Sequence, residues 1–167
     1  MIVNTLTLLH VLISLIGIGS GMVVLFEMID ARRLGTWNSV FITTTAATSL
    51  TGFLFPIHGI TPGLVIGAVS LVVLAVAMSA LYRFQLSGAW RRTYAITAML
   101  ALYLNVFVLI VQLFRKVPAL HAVAPTQSEP PFAAVQLTVL VIFLVLGTLA
   151  SIRFREQPVA VIGRRAA

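Results

Sequence analysis

Residues 94–114 read YAITAMLALYLNVFVLIVQLF, and no Asp, Glu, Lys or Arg interrupts this run. A helix needs about 20 predominantly apolar residues to cross the hydrocarbon core of a bilayer. The run therefore predicts a transmembrane helix. Its Asn105 falls near the middle of that helix, where an amide must find a hydrogen-bonding partner inside the protein.

Four further runs have the same apolar character and hold no charged residue in their interiors. They cover residues 5–26, 37–55, 64–82 and 132–152. Because most connections are short, neighbouring helices should pack antiparallel. We therefore expect an all-α membrane protein, a five-helix up-down bundle in which residues 1–155 form one transmembrane domain and residues 156–167 form a short cytoplasmic tail.

Composition agrees with a membrane protein. The chain is 60% hydrophobic and 9% charged, with a mean hydropathy of +1.08, whereas a soluble domain carries roughly 25% charged residues. A net charge of +7 would suggest nucleic acid in a soluble protein. Here the basic residues lie at the ends of the apolar runs, so we exclude nucleic acid as a partner. The absence of cysteine excludes disulfides and thiol catalysis.

Connections rich in basic residues alternate with connections poor in them, and this alternation predicts the orientation of the chain in the membrane. Connections after the first, third and fifth runs are rich in arginine: Arg32, Arg33, Arg83, Arg91, Arg92, Arg153, Arg155, Arg164 and Arg165. The second connection has no charge, and the fourth has only Arg115 and Lys116 as basic residues. The positive-inside rule then places the N-terminus outside and the C-terminus in the cytoplasm, in a bacterial inner membrane.

The second run is the least apolar, because several of its residues are threonine or serine. Such hydroxyls can donate to carbonyls of their own helix, so a span tolerates them. If this run did not cross, Arg32 and Arg33 would face the opposite side from Arg91 and Arg92. Five spans avoid that conflict with the positive-inside rule.

A row of small residues on the first run predicts helix packing. Ser14, Gly17 and Gly21 follow helical spacing, with His10 on the same side. Glycines let a neighbouring backbone approach closely. The alternative interpretation is a slot for a flat ligand.

Candidate ligand-binding residues gather on the predicted outer side and in the bundle. They are His10, His58, Asn105, Gln112, His121, Glu129 and Gln136. Imidazole ligates haem iron and other metals, and it also donates to quinone carbonyls. Since no spacing places two metal ligands on one helix face, we predict no metal site and consider haem or quinone as ligands. The alternatives are locally bonded histidines and an Asn105 that joins helices.

The fourth connection holds Pro118, Pro125, Pro130 and Pro131. These prolines favour extended backbone, so we expect this loop to lie across the outer mouth of the bundle.

Two functions from different classes fit these features. The first is an accessory or anchor subunit of a larger outward-facing membrane complex, a redox assembly that handles quinone or haem. Its partners would be the lipid bilayer and other membrane subunits or copies of itself. The alternative is a homo-oligomeric transporter or channel for small solutes or ions, with Asn105 or the second run lining the pore. No catalytic motif is present, which favours a protein that is not an enzyme by itself.

Overall fold

A computed structural model describes residues 2–55 and 62–154 of the chain, and these ranges contain helices and no strand. The helices are α1 (Ile2–Ile29), α2 (Thr36–Gly52), α3 (Pro62–Met78), α4 (Trp90–Lys116), α5 (Pro118–Val123) and α6 (Pro130–Arg153). A π-helical turn, Ser79–Arg83, continues α3. The predicted all-helical class is confirmed, while the predicted tail lies outside the described residues.

Four of these helices are long and apolar enough to cross a membrane: α1, α3 with its π-helical turn, α4 and α6. All four extend beyond the uncharged runs, and the largest extensions are those of α1, which continues to Ile29, and α4, which runs from Trp90 to Lys116. Long basic side chains can extend from a helix end to the membrane interface, so a helix need not stop at its first charge. Helix α2 has 17 residues, a length of about 25 Å.

Neighbouring long helices run in opposite directions. On α1, Gly21 approaches Phe41 of α2, while Gly52 near the end of α2 approaches His10. Helix α3 opposes α2, since Gly67 near the start of α3 lies against Phe53 just beyond the end of α2. Helix α4 contacts all four other long helices and is therefore the centre of the bundle.

These directions define two ends of the bundle. We call the end with the α1–α2 and α3–α4 turns and the C-terminus of α6 the arginine end. It carries six of the basic residues in the described ranges: Arg32, Arg33, Arg83, Arg91, Arg92 and Arg153. We call the opposite end the cavity end. It carries Arg115 and Lys116, at the C-terminus of α4.

Large side chains fill the half of the bundle nearer the arginine end. The largest fully buried side chains are Val24, Leu25, Met28, Phe41, Thr45, Leu74, Tyr94 and Leu102. Small alanines of α4, including Ala95, Ala98 and Ala101, bring the neighbouring helices close to its backbone. Since lipid tails are as apolar as these side chains, their close packing rather than their removal from water holds the helices together.

The Pro-rich connection is partly helical rather than extended. Pro118 occupies the first turn of α5, where its missing N–H costs no hydrogen bond. Leu120 and Ala124 pack against Ile110 and Phe114 of α4. These apolar contacts fold the connection back onto the helix it leaves, which the proline pattern alone did not predict.

The contact at Gly21 yields a matched pair of substitutions. A Cβ at Gly21 would lie 2.6 Å from Leu102 Cδ1 and 2.8 Å from the Phe41 ring, whereas a Cβ at Gly19 meets nothing within 4 Å. We expect Gly21→Ala to lower the free energy of unfolding by about 1–3 kcal/mol through overpacking. Gly19→Ala should leave stability unchanged or raise it by up to about 1 kcal/mol.

Thermal unfolding of both variants in one detergent measures the difference. Equal melting temperatures for Gly21→Ala and Gly19→Ala would contradict the packing of α1 against α2 and α4 described above.

Candidate ligand-binding cavity

A cavity of about 580 Å³ opens between α1, α2, α3 and α4 toward the cavity end. Apolar side chains form much of its wall, among them Leu15, Ile18, Leu64 and Leu104. The polar residues that line it are Thr7, His10, Ser14, Thr48, Ser49, Ser70, Asn105, Gln112 and Lys116. Ligand pockets in proteins commonly combine about 300–1,000 Å³ of space with apolar walls and a few convergent polar groups.

His10 is held by a neighbouring helix. Its Nδ1 lies 2.8 Å from the Thr51 Oγ1 of α2. The ring meets Phe55 edge-on, with centroids 5.3 Å apart and planes at 88°. The imidazole packs beside Gly52, where a Cβ would lie 3.8 Å from His10 Cε1, an ordinary van der Waals distance. The ring is thus half-buried and fixed in orientation at the wall of the cavity.

Asn105 faces the bundle from α4. Its Nδ2 donates to the Thr45 Oγ1 of α2 over 3.3 Å, which is a long hydrogen bond. Thr45 is fully buried, and it also lies close to Gly17 of α1. Asn105 therefore joins helices, as one of the two sequence-based interpretations expected, and it also lines the cavity.

Thr48 is a buried hydroxyl residue whose side chain has no partner among the described residues. It is 8% exposed, and its Oγ1 accepts and donates no hydrogen bond there. Other hydroxyls of α2 bond to their own helix, as Thr44 does to Val40 O at 2.7 Å. Thr48 lines the cavity, but its Oγ1 is buried, so a ligand or water in the cavity can supply the missing hydrogen bond only if the side chain rotates.

The residues at the inner end of the cavity, which we call its floor, are mostly apolar, with Thr45 as a buried hydroxyl among them. Leu25, Phe41 and Leu102 are fully buried in the layer next to it, toward the arginine end. Gly21 lets Phe41 and Leu102 meet over the α1 backbone. At the mouth, Lys116 and Leu113 are exposed. Tightly packed side chains thus lie between the cavity and the arginine end.

The structure brings three of the predicted ligand-binding residues into this one cavity: His10, Asn105 and Gln112. Ser14, predicted as a packing residue, also lines the cavity, and its hydroxyl donates to His10 O at 2.7 Å. Gly17 and Gly21 lie against α2. His58 lies outside the described residues.

The other predicted residues lie elsewhere. His121 is exposed on α5. Gln136 of α6 donates from Nε2 to Phe107 O over 3.3 Å, and its Oε1 is buried without a partner among the described residues. His121 lies at the cavity end, and Gln136 lies in the half of the bundle nearest to that end. Neither side chain lines the cavity.

Glu129 organises the loop before α6. Its Oε1 accepts from Thr126 N at 3.1 Å and Thr126 Oγ1 at 2.9 Å, and its Oε2 accepts from Ser128 N at 3.1 Å. Desolvation by neighbouring atoms pushes the pKa of Glu129 up, but these hydrogen bonds outweigh it and hold the pKa below its usual range. These contacts give the carboxylate a structural role in this loop.

Several cavity residues were missed by the sequence analysis. Thr48 and Ser49 were interpreted only as tolerated hydroxyls, and Lys116 only as a topological charge. Ser70 carried a signal, since it is the one polar residue in the central part of an otherwise apolar run. Its burial, with 3% exposure, is a feature that such a pattern could have predicted.

The arginine end has a separate polar cluster. The Tyr94 hydroxyl donates to Asn38 Oδ1, and both residues are buried. Glu27 Oε2 is buried without a hydrogen-bonding partner among the described residues. Asp30 forms an exposed ion pair with Arg32, at 3.2 Å. The large apolar layer at Phe41 and its neighbours lies between this cluster and the cavity.

Within residues 2–55 and 62–154, no group of three or more His, Cys, Asp or Glu residues could hold a metal ion. Comparisons of the chain with known protein families, with curated proteins and with solved structures return no match.

Proposed function

We propose that this chain is an integral membrane protein that binds a small oxygen-bearing ring compound of the quinone class in its cavity. It would serve as an accessory or anchor subunit of a larger membrane assembly. The observation that carries the binding role is the convergence of His10, Asn105 and Gln112 on one cavity. Imidazole and amide groups recognise carbonyl and hydroxyl oxygens by hydrogen bonds, and the apolar walls suit the ring.

The proposed topology has five spans with the N-terminus outside. Contacts between α1 and α2 support a crossing by α2, since they extend from the Gly21–Phe41 contact to the His10–Thr51 hydrogen bond near the other end of α2. The concentration of arginine at one end supports a cytoplasmic location for that end. The bacterial inner membrane is the location we propose on the same grounds.

A groove between α4 and α6 supports a role as a subunit. It has a volume of about 290 Å³ and mostly apolar walls. Gly147 and Ser151 line it at positions four residues apart, which is the small-xxx-small spacing of membrane helix interfaces. Thr148 beside them is exposed, and its hydroxyl donates to Leu144 O at 2.6 Å, so it presents no unsatisfied polar group to a partner helix.

The alternative, an oligomeric transporter or channel, has less support. A pore between protomers would be lined by their outer faces, but Asn105 lines the protomer's own cavity. A path through one protomer would have to cross the buried layer of Leu25, Phe41 and Leu102.

The topology can be tested with single cysteines, since the chain has none. Gly35→Cys in the α1–α2 turn and Ser87→Cys in the α3–α4 turn should react with an impermeant maleimide only after the membrane is opened. Ala119→Cys on α5 should react in intact cells. Labelling of Gly35→Cys and Ser87→Cys from opposite sides would show that α2 does not cross.

The ligand can be tested by equilibrium dialysis of 1-naphthol and 1,4-naphthoquinone against the protein in lipid nanodiscs. We expect saturable binding that Asn105→Leu weakens about tenfold, because the apolar side chain removes a hydrogen bond inside the cavity. Thr138→Val, on the exposed face of α6, is the control and should bind as the unmodified protein does. Unsaturable uptake, equal in both variants, would contradict a binding cavity.

The subunit role can be tested by native mass measurement after gentle extraction. We expect an assembly heavier than the 18.0 kDa chain. Thr148→Trp should release the partner by filling the α4–α6 groove, whereas Val72→Trp, at an exposed position on α3, should keep it. A lone protomer under all conditions would contradict the proposal.

A further inference from the structure

The hydrogen bonds around Thr51 determine where its hydroxyl proton points. Thr51 Oγ1 lies 2.8 Å from Ala47 O and 3.1 Å from Thr48 O. Carbonyl oxygens can only accept, so the hydroxyl must donate to them. This is the usual back-bonding of a threonine within a helix. The remaining lone pairs of Oγ1 are then free to accept a hydrogen bond.

The same oxygen lies 2.8 Å from His10 Nδ1. Because the single proton of Thr51 is already donated to the helix, Nδ1 must carry a proton and donate to Oγ1. The opposite tautomer would require the Thr51 hydroxyl to turn away from both carbonyl oxygens and donate its proton to Nδ1 instead. The neutral His10 ring therefore has its proton on Nδ1 and a lone pair on Nε2.

His10 lines the cavity, and its side-chain hydrogen bond to the described part of the chain is made by Nδ1. Nε2 is therefore the ring nitrogen that remains for a ligand. The edge-on contact with Phe55 and the hydrogen bond to Thr51 keep the ring from turning over. A lone pair held in this way accepts a hydrogen bond and cannot donate one.

We infer that the cavity selects a ring compound that carries a hydroxyl group, of the phenol or quinol class, whose hydroxyl donates to His10 Nε2. The same ring with a carbonyl or an ether at that position has no proton to donate and leaves the lone pair unpaired. Asn105 and Gln112 cannot make this choice, since an amide both donates and accepts. Thr51 is the positioning residue that fixes the tautomer. This inference rests on the proposed function.

The tautomer can be measured without a ligand. In protein labelled with ¹⁵N-histidine, the protonated and unprotonated ring nitrogens of a neutral imidazole have separate resonances. Loss of signals in His10→Ala assigns them. We expect protonated Nδ1 and unprotonated Nε2, unchanged in Thr51→Ser and replaced by a mixture of tautomers in Thr51→Val. Protonated Nε2 in the unmodified protein would overturn the inference.

The selectivity can be measured with three probes of similar shape: 1-naphthol, 1-methoxynaphthalene and 1,4-naphthoquinone. In nanodiscs, we expect 1-naphthol to bind about fivefold to tenfold more tightly than the other two, which is the effect of one hydrogen bond. Thr51→Ser should keep this preference. Thr51→Val should reduce it to less than about twofold while still binding all three probes, since the cavity keeps its shape.

The outcomes separate the two proposals. Saturable binding of all three probes with equal affinity would overturn the hydroxyl preference and leave the binding cavity in place. If none of the probes binds, the proposed function fails and the inference fails with it. A Zn²⁺ titration that shifts the Nε2 resonance at micromolar metal, with no shift from 1-naphthol, would assign the lone pair to a cation and would also overturn the inference.

Discussion

Hydrocarbon offers no hydrogen bonds, so the polar side chains of spanning helices have to be satisfied by the protein itself. Many hydroxyls achieve this on their own helix, as Ser20 does with Ile16 O at 2.7 Å and Thr138 does with Ala134 O at 2.8 Å. Such bonds need no neighbour and leave the packing of the bundle undetermined. Imidazole and amide groups are different, because they reach across to other helices. The bonds from His10 to Thr51 and from Asn105 to Thr45 tie α1 and α4 to α2.

The bundle is packed unequally along its length, and glycine sets the boundary. In the half nearer the arginine end, large side chains such as Phe41 and Leu102 are fully buried. They meet over Gly21, where a Cβ would lie within 3 Å of both. Beyond this layer, small polar residues such as Ser14, Ser49 and Ser70 stand among the apolar side chains that line the cavity. The glycine predicted from its spacing as a packing residue thus also determines how deep the cavity reaches.

The sequence predicted the long helices because length and apolar composition alone meet the demands of a bilayer. It also placed His10 and Gln112 at the same end of the bundle, from the alternation of charged connections. Residues at the same end of the bundle need not line the same cavity. His121 and Glu129 were therefore predicted as ligand-binding residues, although their side chains lie outside the cavity. Thr48 and α5 were not predicted, because helical rotation and the packing of Leu120 against α4 depend on tertiary contacts.

The order of polar groups along the cavity also bears on how a ligand would enter. Lys116 and Gln112 are near the mouth, on the last turns of α4, whereas Asn105 is about two turns deeper. A charged group would be held at the mouth, since the residues at the inner end of the cavity are apolar or uncharged and offer it no counter-charge. A weakly polar ring can go deeper and exchange its hydration for His10 and Asn105. The fully buried side chains of Leu25, Phe41 and Leu102 lie on the side of the arginine end, so a ligand that enters at the mouth would meet tight packing before it could reach that end.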